Sequence, residues 1–248
     1  MTFERKQVRR NAIPCVAGVR RPDWMERDMR KDELDRQQGR WDRAYAAEMD
    51  FFGEEPSGAA RRAAERFLEG GCSLLLELGA GQGRDTLYFA GLGIRVYALD
   101  YSESGLWGII DKGIRTDLGE MIAPVFHDLR RPLPFEDASI DGCFSHMLYC
   151  MAFSRAEIGF LNGEVRRVLK PGGLNIYTVR HKGDAHYGQG TPLGEDLYEM
   201  NGFVVHYFDR TMVDELAGGF DILGIEEFEE GTLPRKLFQV TLRKKEEG

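Results

Sequence analysis

The sequence predicts an α/β fold with a mostly parallel sheet and helices on both faces. Two observations carry this. Leu74-Leu75-Leu76-Glu77-Leu78 is an apolar run of the kind a buried parallel strand requires, and it leads through Gly79, Gly81 and Gly83 into a helical run at Thr86-Leu87-Tyr88-Phe89-Ala90. Downstream, apolar strand-like and amphipathic helix-like segments alternate, which implies right-handed crossovers between parallel strands.

In order, residues 1–22 carry Arg9-Arg10, Pro14 and Arg20-Arg21-Pro22 without a period and read as an arm. Asp23 to Phe52 is helix-like, with an interrupted stripe of Leu34, Trp41, Tyr45 and Met49. Ser57 is placed to cap a helix over Gly58–Glu69 that Gly70-Gly71 ends. Strands are predicted at 73–78, 94–99, 122–127, 139–146 and 173–180, and helices at 84–91, 103–113 and 154–169. Residues 182–206 form a polar, aromatic and glycine-rich insertion that reads as a long loop, of the kind that closes over a ligand. A helix at Thr211–Leu216 and strands at Phe220–Phe228 and Leu237–Leu242 follow, and no internal repeat appears. The division is an arm and helical lid at 1–57 followed by a single domain at 58–248.

The glycine spacing is Gly-x-Gly-x-Gly, and Arg84 stands where a dinucleotide fingerprint has its third glycine. That points to a nucleoside ligand without a pyrophosphate. The second strand ends at Asp100, followed by Tyr101-Ser102, where an acidic side chain can accept from both ribose hydroxyls. Together with Glu77-Leu78-Gly79-Ala80-Gly81-Gln82-Gly83, this resembles the class I S-adenosylmethionine-dependent methyltransferases. His127-Asp128-Leu129, Leu133-Pro134-Phe135-Glu136-Asp137 and Leu169-Lys170-Pro171-Gly172-Gly173 continue the resemblance in the family's order. At subfamily level, the glycine loop is similar to small-molecule methyltransferases of the tellurite-resistance and thiopurine type. The resemblance implies a Rossmann-like sheet of seven strands with an antiparallel C-terminal strand, and S-adenosyl-L-methionine as cofactor. It assigns Glu77 to the methionine ammonium or the glycine loop, Gly79, Gly81 and Gly83 to the cradle, and Asp100 to the ribose, with Tyr101 beside it in the cofactor site. Asp128 and Leu129 fall to the adenine, Ser145 to the end of strand 4, and Trp41 and Tyr45 to a lid helix over the cofactor. Each has a plainer alternative: helix capping for Glu77 and Asp100, a turn for Asp128, and a docked amphipathic helix for the aromatic pair.

Among 248 residues, 41 acidic and 33 basic side chains give a net charge of -8, which argues against a nucleic-acid partner. No apolar run reaches the ~20 residues that cross a bilayer. The four cysteines show neither metal-ligand spacing nor a disulfide pattern, so no metal is expected and a reduced, cytoplasmic setting is. The expected partner is a small-molecule acceptor.

Three of the five histidines, His127, His146 and His181, fall at or just past strand ends, with His186 and His206 in or beside the insertion. A histidine there can serve as general base. His146, His181 and Arg180 are the catalytic candidates: Arg180 to orient a negative charge, a histidine to take a proton. The lining lacks a carboxylate pair for a cationic amine, so a thiol, carboxylate or chalcogen oxyanion is the expected acceptor. Pairing of Arg180 with Asp184 is the alternative. Two rival functions stand beside this one, a non-catalytic cofactor-binding protein and a nicotinamide-dependent oxidoreductase.

Overall fold

A computed structural model describes residues 23–231 and 235–246, with side chains from residue 33 onward. The predicted arm at 1–22 and residues 232–234 lie outside the described residues.

The chain opens with α1 (Asp23–Ala47) and α2 (Gly58–Glu69). It then alternates through β1 (Leu74–Leu78), α3 (Arg84–Gly91), β2 (Arg95–Asp100), α4 (Glu103–Arg115), β3 (Ile122–Phe126), β4 (Ile140–His146), α5 (Arg155–Val168) and β5 (Leu169–Arg180). A small excursion, β6 (Thr191–Gly194), β7 (Leu197–Met200) and β8 (Phe203–His206), precedes α6 (Arg210–Leu216), β9 (Phe220–Glu230) and β10 (Arg235–Lys244). The main sheet has seven strands in the order β3-β2-β1-β4-β5-β10-β9. Only β10 runs against its neighbours, pairing antiparallel with both β5 and β9. This is the Rossmann-like sheet with one antiparallel C-terminal strand that the sequence predicts.

Each strand feeds two cores because successive side chains point to opposite faces. Leu75 of β1 packs with Ala60, Ala64 and Phe67 of α2 and with Phe89 of α3. Leu76 and Leu78 pack on the other face with Ile158, Leu161 and Val165 of α5 and Val213 of α6. The alanines of α2 let it lie close to the sheet, and the Phe67 ring comes so near β4 that a Cβ on Gly142 would stand 2.7 Å from it. Local signals set the helix ends as expected. Ser57 Oγ accepts from Ala60 N, and Ser154 with Glu157 forms a capping box on α5.

Two expectations change. The first helix stops at Ala47 rather than near Phe52, and Met49 is exposed, so the buried stripe of α1 is Leu34 and Gln37, with Trp41 and Tyr45 half-buried. The insertion is not a structureless loop: β6, β7 and β8 form a three-stranded antiparallel sheet. Its two hairpins turn at Glu195-Asp196 and Asn201-Gly202, all with positive φ, the geometry that matches the twist of flanking strands.

Candidate active site

The cavity, about 570 Å³, lies beyond the C-terminal ends of β1, β2 and β4, under α1 and β8. That is where the crossing direction of an open α/β sheet leaves a crevice. The glycine loop forms its floor. Gly81 has φ +55°, and a Cβ there would lie 2.9 Å from Tyr45 Oη; at Gly79, with φ +71°, it would meet Leu148 Cδ1 at 2.8 Å. Gly83 is the third positive-φ glycine, immediately before α3. Asp100 holds this loop: Oδ2 accepts from Gly81 N at 2.8 Å and Oδ1 from Ser102 N at 2.8 Å. The α4 cap is therefore Ser102, whose Oγ accepts from Gly105 N, and not Asp100. Burial pushes the Asp100 carboxyl up to about 6, against hydrogen bonds from Ser102, Gly81 and Tyr101. Each of its oxygens keeps a lone pair for a further donor. Glu77 also lines the cavity and accepts from Thr86 Oγ1 at 2.5 Å, with burial, then the neighbouring Asp85 charge, raising its carboxyl.

The cover is fastened by polar contacts rather than by an apolar stripe. Gln82, inside the glycine loop, donates to the carbonyls of Tyr45 and Glu48 and accepts from Phe51 N. Asp42 accepts from Ser102 Oγ at 2.8 Å and Ser104 N at 2.9 Å, so α1 is tied to the start of α4. Arg84, which displaces the third fingerprint glycine, donates to Phe52 O at 2.8 Å. Trp41, Tyr45, Phe51 and Phe52 thereby form an aromatic wall, and Phe203 of β8 joins it at 4.7 Å from Trp41. Gln37, buried at 1% exposure, donates to Gly202 O and accepts from Val204 N, joining α1 to the small sheet.

Tyr101 beyond β2, and His127, Asp128 and Leu129 beyond β3, all line the cavity. Leu129 is buried and apolar, while both Asp128 oxygens accept from Arg130, which also reaches Asp35 at 2.6 Å. Burial would raise the Asp128 carboxyl, but the Arg130 hydrogen bonds and charge outweigh it and the net shift is downward. His127 Nε2 is buried with no hydrogen-bond partner among the described residues.

At the far end, β4 leaves the sheet through His146 and Met147, the latter at φ +58°. Non-glycine residues in that region store strain and mark functional turns. His146 Nδ1 lies 2.9 Å from Thr178 Oγ1 and Nε2 3.1 Å from Glu230 Oε2. Arg180 lines the cavity, but Asp184 takes its guanidinium through Nε at 3.1 Å and Nη2 at 2.7 Å, and Tyr207 lies 5.1 Å beneath. The bracing alternative for Arg180 is the arrangement seen. Two candidates stand away from the cavity. Ser145 shares the face of Cys143 by strand alternation and is fully buried beneath the sheet end. His181 stacks on Phe238 at 4.4 Å and accepts from Gly183 N, with burial lowering its pKa. Sequence reasoning passed over Gln37, Asp42, Gln82, Glu230 and Arg235, which carry no local signature. Phe203 counts among the aromatics of the predicted insertion, but the hairpin that places it is not part of that reading, although Asn201-Gly202 between apolar runs signals one.

The described residues hold no group of three or more histidine, cysteine, aspartate or glutamate side chains able to bind a metal, and no helix long and apolar enough to cross a membrane.

The family described as "Methyltransferase domain" matches residues 76–177. No curated protein matches the chain. Among solved structures, a Burkholderia thailandensis 1,6-didemethyltoxoflavin N1-methyltransferase, with 1,6-didemethyltoxoflavin and S-adenosylhomocysteine bound, is 22% identical. The similarity covers 94% of each chain with a TM-score of 0.64. A Methanosarcina mazei S-adenosylmethionine-dependent methyltransferase is 20% identical over 70% of this chain and 93% of its own, with a TM-score of 0.63. Haemophilus influenzae TehB is 18% identical over 76% of this chain and 62% of its own, with a TM-score of 0.60. The matched segment runs from β1 to β5 and takes in the glycine cradle, and the solved structures share the sheet described above, so the chain has the fold of these methyltransferases and matches their domain over that segment.

Proposed function

We propose that the protein transfers the methyl group of S-adenosyl-L-methionine to a small, readily ionised acceptor. The observation that carries this reading is Asp100, buried at the end of β2 and tied to the positive-φ Gly81 at the cavity floor. That arrangement suits a nucleoside: the glycines admit it close to backbone, and the free lone pairs of Asp100 accept ribose hydroxyls. Gly79 and Gly83 complete the cradle, and Glu77 faces the methionine ammonium. Tyr101, Leu129 and Asp128 enclose the adenine, with Asp128 already sharing its oxygens with Arg130. His127 Nε2, an orphaned polar atom, supplies a further contact on that side. Trp41 and Tyr45 cover the whole. When bound, the cofactor supplies a methyl on a positively charged sulfur.

The residues of the chain align the acceptor and keep water out, which accounts for much of the rate in such displacements. A small-molecule acceptor is supported by the cover that α1 and β8 place over the cavity, and by the likeness to the Burkholderia enzyme over 94% of each chain. The cytoplasmic setting and the absence of a nucleic-acid partner rest on the charge and cysteine content given above.

Calorimetry with S-adenosylhomocysteine and NADH tests the cofactor, and label transfer to a panel of thiols, carboxylates, chalcogen oxyanions and amines tests the acceptor. Binding of S-adenosylhomocysteine alone, with label reaching an ionisable acceptor, is the expected result. Preference for NADH would return the oxidoreductase reading, binding without turnover the non-catalytic one, and methylation of amines alone would defeat the acceptor class.

A further inference from the structure

The last hairpin brings Glu230 and Arg235, cross-strand partners on β9 and β10, to the acceptor end beside His146 and Met147. The other cations on the cavity wall are engaged. Asp184 holds Arg180, Asp128 and Asp35 hold Arg130, Asp50 holds Lys112, and Arg84 sits on the Phe52 carbonyl beside Asp85. Arg235 differs: among the described residues its one hydrogen-bond contact is Met147 Sδ at 3.7 Å, and no carboxylate lies within ion-pair reach.

Glu230 is held from one side only. A carboxylate can only accept, so His146 Nε2 carries the hydrogen that meets Oε2. Thr178 Oγ1 accepts from Met147 N at 2.9 Å and is free to give its own hydrogen to His146 Nδ1. With both nitrogens engaged, His146 orients Glu230 and does not itself reach the acceptor. Oε1 of Glu230 has no hydrogen-bond partner among the described residues.

We propose that Glu230 and Arg235 are the acceptor-selecting pair, and that they take a ring bearing an N–H beside a carbonyl, a lactam or imide edge. The inference rests on the methyltransferase reading and exchanges the thiol, carboxylate or oxyanion expected above for a neutral acceptor whose N–H proton leaves during transfer. Arg235 donates to the carbonyl oxygen, and Glu230 Oε1 accepts the N–H. A carboxylate or oxyanion would satisfy Arg235 but stand against the Glu230 charge. An ammonium would satisfy Glu230 and stand against Arg235. A neutral edge with one donor and one acceptor leaves neither charge unpaired, and a site built this way rejects analogues that lack either group. Phe203 and Val205 of β8, with Met151, give the apolar walls for a flat ring.

In the transfer, the ring nitrogen's lone pair forms the bond to the methyl carbon. The carbon–sulfur bond breaks and its pair stays on sulfur, leaving a neutral thioether. The N–H proton passes to Glu230 Oε1, the N–H becoming more acidic as nitrogen is alkylated, so a carboxylate suffices as base. Glu230 is then the catalytic residue and His146 a positioning residue.

The test uses the full chain, methyl-labelled cofactor and four probes: pteridine-2,4-dione, benzoate, thiophenol and benzylamine. Label is expected to enter the pteridinedione in preference. Arg235→Ala should raise its KM by about tenfold or more, with Arg235→Lys recovering part. Glu230→Gln should lower kcat by roughly a hundredfold with little change in KM. His146→Gln, which can still donate to Glu230, should keep most of the kcat that His146→Ala loses. S-Adenosylhomocysteine affinity should stay at the wild-type value throughout, which also reports folding. Preference for benzoate, thiophenol or benzylamine, or an unmoved KM in Arg235→Ala, overturns the proposal. Transfer to none of the probes by a protein that binds S-adenosylhomocysteine overturns the acceptor class alone. Failure of the wild type to bind it overturns the reading beneath.

Discussion

Asp100 shows how one side chain can hold a loop and await a ligand. Its position at the end of β2 was legible because a short apolar strand ending in an acidic residue needs no tertiary information. Its bonds to Gly81 and Ser102 were not, since they depend on how the glycine loop folds back. Removing the carboxylate deletes hydrogen bonds to a charged acceptor, so Asp100→Ala should weaken S-adenosylhomocysteine binding by about 2–4 kcal/mol. Gly81→Val should abolish binding, because a side chain there meets Tyr45. The raised carboxyl adds a pH signature. Between its ordinary value of 3.8 and about 6 the folded protein holds this proton more tightly than the unfolded chain does. From this group, stability of the free protein therefore falls as pH rises through that window. Ligand affinity moves the other way, because only the ionised form accepts from both hydroxyls. Calorimetry from pH 5 to 7 should show affinity rising with an inflection near 6, absent in Asp100→Asn; a flat profile in the wild type would show that Asp100 does not bind the ribose.

Among the elements, α1 and the β6–β8 sheet were read separately, one as a lid over the cofactor and the other as a lid over the acceptor. The structure joins them through Gln37, which meets Gly202 O and Val204 N, and through the Trp41–Phe203 contact. Gln37 lies on the inner side of a helix whose apolar stripe is weak, so sequence periodicity gave it no weight. Buried polar groups stripped of a partner keep their desolvation cost, so Gln37→Ala should destabilise the fold by about 1–3 kcal/mol. It should also uncouple the two covers. In hydrogen exchange, S-adenosylhomocysteine should protect α1 and β8 together in the wild type, and α1 alone in the variant. Independent protection in the wild type would mean that the shared contact carries no coupling.

For the whole molecule, the two cores on either face of the sheet make a scaffold that is complete without ligand, with the cavity at one end. A ligand that binds only the folded state at a hundred times its dissociation constant adds about 2.7 kcal/mol of stability. In a chain of this size that is a rise of roughly 5–10 °C in the unfolding midpoint. S-Adenosylhomocysteine should give that rise, and NADH none.

The sequence by itself determined the main strands and helices, the helix caps, the glycine cradle and the acidic strand end. Each of these is a short-range pattern: a period of two or of 3.6, a capping serine, a glycine where φ must be positive. Only the tertiary structure decided which polar groups face the acceptor. Ser145 falls on the wrong side of its strand, His181 stacks on Phe238, and Asp184 engages Arg180. Glu230 and Arg235 arrive at His146 from β9 and β10, more than eighty residues away in sequence. No local pattern encodes such a meeting, because it is set by the antiparallel insertion of β10 beside β5, and that order emerges only once both cores are packed.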